Sequence, residues 1–219
     1  MKITVVYDNN AGRGLKTGWG FSCLIDNGKK ILFDCGDSGE KLIFNMKKLG
    51  MDPKDIGSVL LSHEHWDHIG GLLQFLEMND RVTVYVPKSF STGIKEKIGL
   101  KAGMKEVDSG EEISENVYTT GQLGGPGTVK EQSVALKTSK GYFIITGCAH
   151  PGLKAIIEKS RSLGKIYGIM GGFHDFSDFG ILKGMELVAP CHCTQNAREI
   201  KRLFPGSYRE IKSGSVIEL

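Results

Sequence analysis

The apolar stretch Ser58-Val-Leu-Leu-Ser62 runs directly into His63-Glu-His-Trp-Asp-His68, and Gly70-Gly71 follows almost at once. Few folded states accommodate such a segment. The valine and leucines call for a buried strand. Three histidines and two carboxylates beside it tolerate burial only where something satisfies them. On an extended backbone alternate side chains point the same way, so His63 and His65 share a side; on a helix they would lie roughly 200° apart. The extended reading lets two imidazoles converge at a strand's end on one cation. Asp67 and His68 come a turn later, at the head of a helix expected over Ile69–Met78, where they could face a second cation or where Asp67 could act as the N-cap. Imidazole mixed with carboxylate suits zinc, iron or manganese.

The chain holds six histidines in all. The other three, His150, His174 and His192, follow the apolar runs YFIITGCA, IYGIMGGF and MELVAPC. Strand ends that gather on one sheet edge would gather all six, and sites in layered sheets collect at such edges.

The surrounding pattern predicts short strands at Ile3–Tyr7, Phe21–Asp26, Lys30–Asp34, Ser58–Leu61, Val82–Val86, Asn116–Thr120, Ser133–Thr138, Tyr142–Thr146, Ile166–Met170 and Ser215–Glu218. DNGKK at 26–30 and TSKGY at 138–142 read as hairpin turns. Helices are expected over Ser38–Leu49, Ile69–Met78, Gly152–Leu163 and Thr194–Phe204, with a further one over Ser89–Ile98. Hairpins demand antiparallel pairing, and helices between strands must cover outer faces. Two mixed sheets packed on each other with helices outside satisfy both demands, in an α/β arrangement built as a single domain of residues 1–219. Two glycine-bearing loops, Asn9–Gly20 and Gly121–Lys130, are candidates for substrate contact.

Composition narrows the function classes. A net charge of +3 with scattered basic residues gives no nucleic-acid groove. No stretch approaches the roughly 18 apolar residues of a membrane span, and the N-terminus reads straight into a strand rather than an export signal. Five cysteines, an odd number, fit reduced thiols in the cytoplasm. The expected partner is a small molecule, with neither nucleic acid nor membrane; the oligomeric state stays open.

HEHWDH, with the glycine pair after it, resembles the His-x-His-x-Asp-His signature of the metallo-β-lactamase superfamily, and ILFDCG at 31–36 resembles its first motif. The resemblance implies a four-layer αββα sandwich with metals at one edge. DNN near the N-terminus, WGFSCLID, EQSVAL, TGCAHPG, GGFHDF and HCT at 192–194 are similar to the branch of dihydropterin-ribofuranosyl-aminobenzene-phosphate synthase-like proteins. One departure stands out. Where most hydrolases of the superfamily carry a bridging aspartate after a strand, this chain has Cys148, and no histidine occurs in 121–131. Cys148 is either a thiolate ligand or a small buried apolar side chain.

The resemblance implies two divalent metal ions, zinc first and iron or manganese as alternatives. His63, His65 and His150 would hold one; Asp67, His68 and His192 the other. Asp34 would orient a ligand histidine through its second ring nitrogen. Asp67 and His174 are the candidate catalytic groups, Asp67 for taking a proton from the attacking water and His174 for proton transfer or substrate contact. Glu64 is expected in a salt bridge and Trp66 beneath the loop. Cys191 and Cys193 are expected as buried thiols. Arg13, Lys16 and the amides of Gly124, Gly125 and Gly127 are candidates for receiving a phosphate. The implied activity is hydrolysis at a carbonyl or phosphoryl centre of a phosphorylated or pterin-like molecule. A non-haem di-iron redox protein, or a catalytically weak metal-binding member of the same fold, is the alternative.

Overall fold

The computed structural model describes residues 1–125 and 128–219. Gly127, one of the amides expected to meet a phosphate, lies outside the described residues. Two compact units are present, Met1–Val107 with Lys212–Leu219, and Asp108–Ile211.

The first unit opens with β1 (Lys2–Tyr7), β2 (Ser22–Asp26) and β3 (Lys30–Phe33), paired antiparallel in sequence. The β2–β3 hairpin turns at the expected place, with Gly28 at φ +97°. Strand and helix then alternate: α1 (Gly39–Lys48), β4 (Ile56–Leu60), α2 (Trp66–Ile69), α3 (Leu72–Met78), β5 (Thr83–Pro87), α4 (Thr92–Gly99) and β6 (Gly103–Val107). Strands β3 to β6 run parallel. The second unit begins with the antiparallel meander β7 (Ser109–Ser114), β8 (Val117–Gly121), β9 (Val134–Thr138) and β10 (Gly141–Thr146). It continues through α5 (Leu153–Arg161), β11 (Ile166–Gly172), β12 (Leu187–Cys191) and α6 (Ala197–Leu203). Here β10, β11 and β12 are parallel. The chain returns to the first unit as β13 (Val216–Glu218), antiparallel to β1. The sheets are ordered β13-β1-β2-β3-β4-β5-β6 and β12-β11-β10-β9-β8-β7.

Each sheet carries helices against a core of its own. In the first unit Leu42 and Met46 of α1 and Phe75 and Leu76 of α3 pack with Val6, Leu24, Leu32, Val59 and Val84. In the second, Ile156 and Ile157 of α5 pack with Tyr142, Ile144, Ile169 and Val188. Full burial of each such side chain contributes roughly 1.5–3 kcal/mol. Ser38 caps α1 by accepting from the Lys41 amide, and buried Asn45 ties the same helix to the first glycine loop, donating to Val6 O and Lys16 O and accepting from Lys16 N. The result is the α/β class that the sequence implied.

Several boundaries differ from expectation for identifiable reasons. The helix expected over Ile69–Met78 is two helices, α2 and α3, broken at Gly70-Gly71, where a side chain on either glycine would collide with the backbone of Cys35 or Asp37. Strands β6 and β7 were not expected: they are polar edge segments, and most of their residues are exposed or only partly buried. The apolar run before His192 forms strand β12 as expected, and it tolerates Pro190 because β12 is an edge strand. Helix α6 starts after Thr194, whose hydroxyl donates to Cys191 O and accepts from the Phe173 amide.

Parallel pairing gathers the strand ends within each unit. Phe33 pairs with Leu60, so Asp34 and the segment leading to His63 leave the first sheet at one edge. Thr146 pairs with Gly171 and Gly172 with Cys191, so the loops carrying His150, His174 and His192 leave the second sheet at one edge.

Candidate metal centre

In the first unit the Asp34 carboxylate organises the histidine cluster. Asp34 sits at φ +55°, a conformation costing a non-glycine residue on the order of 1–3 kcal/mol. Its Oδ1 accepts from the Ser62 amide at 2.7 Å, and its Oδ2 accepts from the Ser62 hydroxyl at 2.7 Å and lies 2.7 Å from His68 Nδ1. The Ser62 oxygen is in turn 2.9 Å from His63 Nδ1. One buried carboxylate thus orients His68 directly and His63 through a hydroxyl. The His63 ring centroid lies 4.6 Å from that of His65 and 4.2 Å from that of His68. Backbone contacts lock the two loops, since Cys35 N donates to His68 O at 2.8 Å. Gly20, at φ +142°, lies so close to the Asp67 carbonyl that any Cβ there would collide with it.

Asp67 lies in the first turn of α2, two residues beyond the N-cap position, which His65 holds without a side-chain cap. With both Nδ1 atoms engaged, Nε2 is the nitrogen that His63 and His68 would offer a metal. Tetrahedral zinc ligands at about 2.0–2.2 Å stand about 3.4 Å apart. His68 Nε2 and Asp67 Oδ2 are 3.7 Å apart. The donor set and its hydrogen bonding therefore fit a divalent cation.

In the second unit Cys148 Sγ lies within 4.8 Å of a ring nitrogen of His150 and within 4.8 Å of one of His192. The cysteine is buried. His174 stacks obliquely on His150 with ring centroids 5.2 Å apart, and its Nδ1 lies 3.8 Å from Asp175. Its side chain is 44% exposed, which suits a group in contact with solvent or substrate. Ala149, His174 and His192 have φ of +61°, +50° and +49°, so each of these three turns bends sharply as it leaves its strand.

Sequence reasoning missed two residues of these turns. Ser62 links Asp34 to His63, and the wholly buried Glu131 gathers the backbone of 147–150. Glu131 lies in the EQSVAL segment, but a single carboxylate before a strand carries no periodic or spacing signal. Three other expectations, for Glu64, Trp66 and Cys193, are corrected. Glu64 forms no salt bridge among the described residues; it accepts from the Ser91 amide at 2.6 Å and from the Ser91 hydroxyl, at the head of α4. Trp66 does not pack beneath the loop but is 61% exposed, because its place in the first turn of α2 faces away from the buried Asp67 and His68. Lys16 pairs with Glu40 at 2.5 Å, whereas Arg13 lines a cavity of about 540 Å³ with Lys48 and Lys212. Cys191 is buried and Cys193 only partly so. Tyr7, at the end of β1, donates to Asp37, and burial together with that carboxylate pushes its pKa far above the usual phenol range.

Comparison with known proteins gives a consistent answer. The profile of the Metallo-beta-lactamase superfamily matches residues 20–140, which include Asp34 and His63–His68 but not Cys148, His150 or His192. The 7,8-dihydropterin-6-methyl-4-(beta-D-ribofuranosyl)-aminobenzene-5'-phosphate synthase of Methanocaldococcus jannaschii is 28% identical, over 91% of this chain and 89% of its own. The crystal structure of Tm1679, described as a metal-dependent hydrolase of the beta-lactamase superfamily, superposes with a TM-score of 0.84 at 29% identity, covering 100% of this chain and 99% of that one. The metallo-beta-lactamase fold protein YhfI from Bacillus subtilis shares the fold at a TM-score of 0.74 and 18% identity, covering 99% of this chain and 98% of that one. With just over half of its length matched by the family profile, and that half containing the whole HEHWDH segment, the chain belongs to the metallo-β-lactamase superfamily.

Proposed function

We propose that the protein is a metal-dependent hydrolase acting on a small phosphorylated or pterin-like molecule, with residues 1–219 working as one domain. His63, His65 and His150 would hold one divalent cation and Asp67, His68 and His192 a second, with Cys148 as a further candidate ligand. Zinc suits the imidazole and carboxylate donors, with iron or manganese as alternatives. The observation that carries the reading is the Asp34–His68–Asp67 arrangement: Asp34 holds Nδ1, and Nε2 stands 3.7 Å from the Asp67 carboxylate. A carboxylate behind a ligand histidine is the usual support of a metal site.

When bound, a divalent cation would make a water molecule acidic enough to ionise near neutral pH. The residues of the chain do the rest. Asp34 keeps the His68 proton on Nδ1 and, through Ser62, sets the His63 ring. In this reading Asp67 would take a proton from the attacking water, and His174, half-exposed, would pass one to the leaving group. The name of the Methanocaldococcus relative supports a ligand with a dihydropterin or phosphoribosyl part. The cavity between Arg13, Lys48 and Lys212 supports a phosphate, since none of its lining residues is acidic.

The same relative is named a synthase, which favours a second reading: bond formation with a nucleophile other than water. Elemental analysis after expression with several metals, followed by a phosphoester panel run with and without added amine and pterin nucleophiles, separates the two. Hydrolysis of bis-p-nitrophenyl phosphate that is lost in His65→Ala supports the first. Turnover only with the second nucleophile supports the other. Less than one equivalent of tightly held metal under every condition sinks both.

A further inference from the structure

The turn that carries Cys148 and His150 is moulded around a single carboxylate. Glu131 is wholly buried. Its Oε1 accepts from Thr146 Oγ1 at 2.9 Å and from the amides of Gly147, Cys148 and Ala149 at 2.9, 3.0 and 3.1 Å. Its Oε2 accepts from the His150 amide at 2.9 Å. Four successive backbone N–H groups, with Ala149 at φ +61°, form the kind of concavity that binds anions elsewhere. Here the chain supplies the anion itself. The glutamate is anchored in turn: its backbone exchanges hydrogen bonds with Leu123 at 3.0 and 2.8 Å.

We infer that Glu131 is the positioning residue of the turn that carries Cys148 and His150, setting where the thiol and the imidazole stand. The charge is needed as well as the shape. A buried carboxylate requires several donors to offset its lost hydration, and hydrogen bonds to an ionised acceptor are roughly twice as strong as neutral ones. Replacing one oxygen by an amide NH₂ would set a donor against donors. Shortening the side chain by one methylene would draw the turn inward and shift the ligand atoms with it. The amides of the turn, being committed to Glu131, are not donors for a substrate oxyanion, so any oxyanion stabilisation must come from elsewhere.

This inference rests on the metal-centre reading, and its test keeps the two apart. Zinc affinity by chelator competition, the absorption spectrum of the cobalt-substituted protein, and thermal stability without metal are measured for Glu131→Gln, Glu131→Asp and the parent. Amide hydrogen exchange is followed in the parent. The expected result is a folded Glu131→Gln or Glu131→Asp variant with zinc affinity lowered about ten- to a hundredfold and an altered cobalt spectrum, with Asp restoring more than Gln. Folded variants that bind zinc within twofold of the parent, with an unchanged spectrum, overturn the inference. The exchange arm needs neither metal nor a stable variant. The amides of 147–150 should be protected to the level of the β10 core, and exchange at the rate of the exposed Gly28 turn overturns the proposal even if no variant folds. A parent that binds no zinc yet protects these amides removes the metal reading and leaves Glu131 as the organiser of the turn.

Discussion

Asp34 Oδ2 and His68 Nδ1 stand 2.7 Å apart with both side chains fully buried. The contact places the imidazole proton on Nδ1 and directs Nε2 towards Asp67. Asp34→Asn keeps the size but can present an NH₂ group to a nitrogen that must itself donate. Zinc affinity should fall by about ten- to a hundredfold, and more than in Ser62→Ala, which disturbs only the link to His63. Chelator competition on the two variants checks the order. An Asp34→Asn protein with parental affinity would remove the carboxylate from the site's support.

The two basic residues of the first glycine loop should separate in function. Arg13 faces the cavity with Lys48 and Lys212, while Lys16 is held by Glu40 at 2.5 Å and lies over the Phe44 ring. With a phosphomonoester substrate, Arg13→Ala should raise KM severalfold and leave kcat near the parent value, the pattern of lost uniform binding. Lys16→Ala should change neither. Equal effects from both substitutions, or none from Arg13→Ala, would place the phosphate elsewhere.

Thiol chemistry gives a prediction with a definite sign. Burial, reinforced by the nearby Asp34 charge, pushes the Cys23 and Cys35 thiols well above the usual cysteine range. Only thiolate reacts, so at pH 8 iodoacetamide should leave both unmodified in the folded protein while labelling the partly exposed Cys193. In the unfolded chain the same thiols ionise near about 8.5. The native state keeps its protons above that pH and the unfolded state does not, so these groups make unfolding easier as pH rises through that value. Mass spectrometry of labelled peptides, with a denatured control, reads the result.

How much of this was legible beforehand depended on the kind of signal. His63, His65 and His68 announced themselves because imidazoles at a strand's end have no ordinary structural use, and their rings do cluster in the structure. The β2–β3 hairpin was legible because Gly28 supplies the turn. Strand β12 was legible as the apolar run before His192, and its place as an edge explains why it tolerates Pro190. Ser62 and Glu131 were hidden: both act through hydrogen bonds to backbone or to partners far along the chain, and Glu131 meets the turn at Gly147 from 16 residues away. Trp66 was misplaced because a large aromatic in an apolar neighbourhood reads as core until the helix face is known.

His174 provides the sharpest division between ligand and catalyst. It follows β11 as His192 follows β12, and by sequence the two are equivalent. In the structure it is 44% exposed, stacked 5.2 Å from His150 and close to Asp175, while Cys148 adjoins the ring nitrogens of His150 and His192. A proton-transfer role therefore predicts that His174→Ala retains full metal content by elemental analysis while kcat falls about 10²- to 10⁴-fold, the range for loss of a positioned acid or base. His65→Ala, in contrast, should lose metal and activity together. If His174→Ala also loses metal, the residue is a ligand; if it loses neither metal nor rate, the proton passes by another route, and the exposed imidazole serves only to line the mouth of the turn.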